Sequence, residues 1–171
     1  MIGPLPGKPA AALVAITLLA GCGGEDHELA SSPDWVRGIR AAVEAVEDEL
    51  GGPQEYFEVT ANPQFTNVFV AVDGASEAVP YLYTDVGLES PGPSLTGAGG
   101  RTFVADAIAF DEDRVVSRIA EELPDSSIDG LSVEGGPNGS VRYVATVRSA
   151  AGGVLDVVVG ADGEILSVAP L

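Results

Sequence analysis

Ser140-Val-Arg-Tyr-Val-Ala-Thr-Val-Arg-Ser149 is followed by Ala150-Ala151-Gly152-Gly153, then by Val154-Leu-Asp-Val-Val-Val-Gly160, Ala161-Asp162-Gly163 and Glu164-Ile-Leu-Ser-Val-Ala169. These are three runs rich in β-branched residues, divided by glycine-bearing segments of hairpin length, a pattern that specifies adjacent antiparallel strands. Side chains alternate across a strand. Residues 140–149 therefore place Val141, Tyr143, Ala145 and Val147 on one face and Arg142, Val144, Thr146 and Arg148 on the other.

Upstream, a strand is expected over residues 128–134, ahead of the turn 135–139. A helix precedes it: Asp111 is placed to cap, Glu112 and Asp113 sit in the first turn, and Val115, Val116, Ile119 and Leu123 form one apolar stripe that Pro124 ends. Acids at that end complement the helix dipole. The same order occurs earlier. Ser32-Pro33 starts a helix over 33–50 with the stripe Val36, Ile39, Val43, Val46 and Leu50, and Gly51-Gly52-Pro53 stops it. Strand character follows at 55–61, 67–73 and 79–85, then an aperiodic Gly, Pro and Ser-rich loop over 86–100, then a strand over 102–110. The expected fold is α+β, with two α-β-β-β-β units (33–110 and 111–171) joined into one antiparallel sheet, helices packed on one face. The alternative is a single mixed domain without internal symmetry.

The chain carries 26 Asp plus Glu against 8 Lys plus Arg, a formal charge of −18, and Lys8 is its single lysine. Phosphate recognition needs clustered cations, so no nucleic-acid partner is expected. An anionic leaflet would repel such a surface too, which makes the amino-terminal segment decisive for any membrane attachment. Residues 10–20 form an apolar run broken only by Thr17. A spanning helix needs about twenty residues, so this stretch fits the hydrophobic region of a signal peptide. Leu19-Ala20-Gly21-Cys22 then resembles the lipobox of bacterial lipoproteins. The resemblance implies removal of residues 1–21 and a diacylglyceryl group, with acyl chains of the palmitate class, on the Cys22 thiol. Residues 22–32 read as the lipidated terminus and a polar tether, and 33–171 as the folded domain. With the one cysteine consumed by lipid, no structural disulfide is expected.

Catalytic chemistry is thinly represented. The sole histidine, His27, lies in the tether, which leaves no base for a nucleophilic triad. Zinc and most transition metals want several His or Cys ligands, and no metal or cofactor is expected. Asp106, Asp111, Glu112 and Asp113 are the densest carboxylates, spaced unlike a calcium loop and read as a helix cap with a solvated face. Gly97-Ala98-Gly99-Gly100-Arg101 lacks the Gly-Lys-Ser/Thr of a phosphate loop and leads into a strand. The best candidate partner surface is the sheet face carrying Arg142 and Arg148, with Tyr81 and Tyr83 from another strand adding aromatic area and Arg101 in the nearby loop. The competing reading is a solvated face with cross-strand acid pairs.

Residues 154–168, with their Asp162-Gly163-Glu164 turn, resemble the last hairpin of PepSY-type modules. The tandem helix-then-sheet order resembles β-lactamase-inhibitor-like lipoproteins of bacterial envelopes. The likeness covers most of 33–171 as architecture and about fifteen residues as motif. It implies a small envelope module that binds proteins or peptides without a cofactor, and it carries over no functional residue. The expected function is a nonenzymatic, lipid-anchored extracytoplasmic protein that docks an envelope protein or peptide; the alternative is a small-molecule or ion-binding sensor at the cell surface. Cys22→Ser should move the protein from the membrane fraction to the soluble one. Continued sedimentation of that variant with membranes would rule the anchor out.

Overall fold

The computed structural model describes Met1, Gly3 and residues 33–171. Apart from Met1 and Gly3, the expected signal peptide, with the expected lipobox Leu19 to Cys22, tether and Ser32 cap, lies outside the described residues. Helix α1 (Asp34–Leu50) buries Val36, Ile39, Ala42, Val43 and Val46. Leu50, the last member of the expected stripe, is 42% exposed at the helix end. Gly51 takes the left-handed conformation (φ 78°), and Gly52 N donates to Glu47 O at 2.9 Å, so the last carbonyls are satisfied as the chain turns away.

Strands β1 (Glu55–Ala61), β2 (Thr66–Val72) and β3 (Glu77–Thr84) follow as a meander. Between β1 and β2, Asn62 N donates to Phe65 O at 3.0 Å, and Asn62 Oδ1 accepts from Gln64 N and Phe65 N, a side-chain turn that reinforces the backbone bond. The expected loop 86–100 contains two short pairings, β4 (Gly87–Leu88) and β5 (Leu95–Thr96), both laid along the outer edge of β3. Next comes β6 (Phe103–Val104), which pairs with β1 at Glu55 and Tyr56.

The expected two α-β-β-β-β units do not form: the domain is mostly one antiparallel sheet of ten strands with two helices. The strand expected over 102–110 stops at Val104 and gives way to a short 3₁₀ turn at Ala105–Ala107. Ile108 and Phe110 are both buried, and the polar groups around them bond to other partners than a ladder. Arg40 Nη1 donates to Ile108 O at 2.9 Å and Nη2 to Phe110 O at 3.1 Å. Ala109 N donates to the Tyr143 hydroxyl at 2.9 Å, and Asp111 N to Ala161 O at 3.0 Å. Buried backbone groups need partners, and here side chains of α1 and the sheet supply them.

Helix α2 (Glu112–Glu122) starts where Asp111 Oδ1 accepts from Arg114 N at 3.0 Å, as its cap position implies. Strands β7 (Ser126–Gly135), β8 (Val141–Ser149), β9 (Val154–Val159) and β10 (Ile165–Pro170) form a second meander. The full order is β10-β9-β8-β7-β1-β2-β3-β4, with β1 and β7 antiparallel and Val59 opposite Val133. One face carries Val68, Val59, Val133, Tyr143 and Val159 in a continuous row across five strands, and it forms one core with the buried residues of both helices. Among the described residues no helix is long and apolar enough to cross a membrane.

Two contacts tie this core together. Arg40 bridges α1 to the segment entering α2: besides the two carbonyls, its Nε donates to Glu112 Oε1 at 2.9 Å and its guanidinium stacks 5.6 Å from the Phe110 centroid. Tyr56, fully buried, donates its hydroxyl to Glu47 Oε1 at 3.1 Å. Burial, then the nearby Glu47 charge and this hydrogen bond, hold the phenol well above its usual value of 10.0; burial also raises Tyr143.

Arg40→Lys keeps the charge but cannot span both carbonyls and Glu112, so chemical denaturation should show a loss of roughly 1–3 kcal/mol. An unchanged midpoint would show that the bridge contributes nothing. Below pH about 10 folded and unfolded tyrosines are both protonated and stability is flat on their account. Above it the unfolded chain releases protons first, so stability should fall by about 1.4 kcal/mol per pH unit for each raised phenol. Tyr56→Phe should make that alkaline slope shallower by one proton. An identical slope in the variant would contradict the buried Tyr56–Glu47 pairing.

Candidate functional site

β8 places its two arginines opposite Tyr143, Ala145 and Val147, as the alternation requires, and β7 answers each with an acid. Arg142 lies directly across from Glu134 and is ion-paired to it. Arg148 Nη2 meets Asp129 Oδ2 at 2.6 Å. Both guanidinium groups stay more than half exposed, and exposed pairs of this kind contribute about 0–1 kcal/mol. Six residues apart on one strand, they stand roughly 20 Å from each other. Arg101 is exposed in the loop before β6, and its carbonyl lies so close to Gly135 that a Cβ there would collide with it. Arg148 thus stands apart from Arg142, the Arg101 backbone lies at the Arg142 end of the pair of strands, and cross-strand acids engage Arg142 and Arg148.

The tyrosines belong to the other side. Tyr81 lies opposite Val68 and is buried, and Tyr83 packs against the same core from the end of β3. Both parities of β3 are apolar (Val79, Tyr81 and Tyr83 against Ala78, Pro80 and Leu82), so the strand alone could not say which set faces the helices. The carboxylate cluster is likewise dispersed into structural duties: Asp111 caps α2, Glu112 meets Arg40, and Asp113 Oδ1 meets Arg37 Nη2 at 3.0 Å. Among the described residues no group of three or more His, Cys, Asp or Glu is arranged to hold a metal ion.

The sheet ends differently on its two sides. The outer edge of β3 is covered by β4 and β5. β10 is the opposite end of the sheet, and among the described residues no segment pairs with its outer side. Leu171 N donates inward to Val154 O at 2.9 Å. By strand alternation the backbone of Ala169 also faces β9, whereas Val168 and position 170 face outward. Pro170 therefore lacks its N–H where no ladder bond is lost, the place where a strand tolerates proline. Nothing from Ile165 to Pro170 is charged, and Leu166 and Val168 are 59% and 47% exposed.

A groove of about 420 Å³ runs between this edge and α2, with Leu123, Ile165 and Val168 as its apolar floor; Glu122, Asp162 and Glu164 lie on its rim beside Arg118, which Glu121 engages at 3.2 Å. Its shape is set by the β9–β10 turn. Gly163 (φ 84°) approaches α2 so closely that a Cβ would stand 2.8 Å from Arg114 O. Sequence reading missed Ile165, Val168 and Leu123; the signal that marks the edge was Pro170 at the end of an uncharged strand. No protein-family model, no curated protein and no solved structure matches the chain.

Proposed function

We propose that this chain is a nonenzymatic binding module of the bacterial cell envelope, held at the membrane by lipid on Cys22, which receives an extended segment of a partner protein as an additional strand along β10. The observation that carries the reading is the uncharged outer edge of β10, unpaired among the described residues, beside an apolar groove. Backbone groups at such an edge supply affinity, and side chains at alternate positions supply selectivity. Here the outward N–H and C=O of Val168 would bond the incoming strand. Its alternate side chains would rest on Ile165, Val168 and Leu123, and Lys or Arg flanking them would meet Glu122, Asp162 and Glu164. The lipobox supports the extracytoplasmic, membrane-anchored location, since the acidic surface would not be drawn to lipid by charge.

A displayed library of extended peptides, panned on the Cys22→Ser form of the chain, tests this. Selected peptides should alternate apolar residues between basic flanks. Val168→Pro, which deletes an outward N–H without touching the β9 ladder, should weaken them at least about tenfold. Arg142→Glu with Arg148→Glu should leave them bound. Loss of binding in the arginine pair with retention in Val168→Pro would move the site to the open sheet face and defeat the edge.

A further inference from the structure

A second concave site lies at the other end of the domain, where the first turns of α1 meet the β1–β2 turn and the end of β3. It measures about 460 Å³ and is lined by Trp35, Phe65 and Tyr83, with Asp34 and Asp85 at its mouth. Three of the chain's ten aromatic residues, including its one tryptophan, thus meet at a single cavity. Two further features set it apart from a packing defect. Thr66, on its wall, is only 3% exposed, and among the described residues no side chain or backbone group forms a hydrogen bond to its hydroxyl. A buried hydroxyl left without a partner is costly in a wall that has no other use for it. The second is Gly38. A glycine in the interior of a helix weakens it relative to alanine, yet Gly38 sits mid-α1, where an added Cβ would stand 3.8 Å from Thr66 Oγ1. The missing side chain keeps the cavity open.

The electrostatics select the sign of a ligand. Arg37, the one cation in the lining, is engaged by Asp34 at 3.4 Å and by Asp113 at 3.0 Å. Asp85 is exposed and has no ionic partner among the described residues. Aromatic faces attract cations and tolerate an apolar body, and a carboxylate at the mouth adds charge attraction. The volume falls in the range of small-molecule sites and far exceeds that of a bare metal ion.

We propose that this cavity binds a small organic ammonium ion that also carries a hydrogen-bonding group: the cation rests among Trp35, Phe65 and Tyr83, Asp85 answers its charge, and the polar group reaches the Thr66 hydroxyl. The site is separate from the β10 edge and does not depend on the peptide-binding reading.

Because Trp35 is the sole tryptophan, its emission reports the cavity directly. Choline is the probe, and 3,3-dimethylbutan-1-ol is its uncharged isostere of nearly the same shape. Choline should change Trp35 emission saturably, with the neutral alcohol at least about tenfold weaker. Asp85→Asn should weaken choline about three- to tenfold. Gly38→Leu, which fills the space in front of Thr66, should abolish the response while the thermal midpoint stays the same or rises. No saturable response to choline, equal binding of the neutral alcohol, tighter binding of glucose than of choline, or an intact response in a folded Gly38→Leu variant would each overturn the proposal. The midpoint of that variant separates a blocked cavity from an unfolded protein.

Discussion

The pairing of β1 with β7, from Glu58 opposite Glu134 to Ala61 opposite Leu131, is the constraint on which the rest of the sheet depends. Two antiparallel meanders side by side would expose four edges, each a template for unwanted pairing. Joining β1 to β7 removes two of them and places Val59 and Val133, both fully buried, in the middle of the core. β4 and β5 cover a third edge. The fourth belongs to β10, open among the described residues, and it is the side on which α2 and the Gly163 turn leave an apolar groove. The open edge follows from how the other three are closed.

Charge organises what surrounds that sheet. Of the described arginines, Arg37, Arg40, Arg114, Arg118, Arg142 and Arg148 all stand within ion-pair distance of an acid. The scarce positive charge is therefore spent on internal geometry, most of all where Arg37 and Arg40 reach from α1 to the first turn of α2. What remains on the surface is a large excess of carboxylate, which biases every open site toward cationic or basic-flanked ligands. The acidic rim of the β10 groove and the Asp85 mouth of the aromatic cavity express the same imbalance at two places.

Local signals were legible in the sequence because each acts through a few neighbouring residues. The Val36, Ile39, Val43 and Val46 stripe, the Asp111 cap and the Gly51-Gly52 stop all correspond to structure, and in β8 Arg142 and Arg148 are exposed as alternation requires although Val144 between them is buried. Non-local choices were not legible. Residues 102–110 look like a strand until Arg40, far away in sequence, takes the carbonyls of Ile108 and Phe110. The two apolar faces of β3 could be assigned only once Val68 stood opposite Tyr81. Trp35 lies in the first turn of α1, and its place in a cavity required Phe65 and Tyr83 to arrive from other elements. Arg142 and Arg148 were correctly placed on one face, but their distance apart and their acid partners depend on β7.

Amide hydrogen exchange resolved by residue along β10 of the isolated, monomeric protein tests the open edge most directly. Ala169 and Leu171, whose N–H groups face β9, should be protected, and Val168, whose N–H faces outward, should exchange close to the rate of an unpaired amide. Protection of Val168 equal to that of its two neighbours would mean that something already pairs with this edge, and the account of a strand left open for a partner would be wrong.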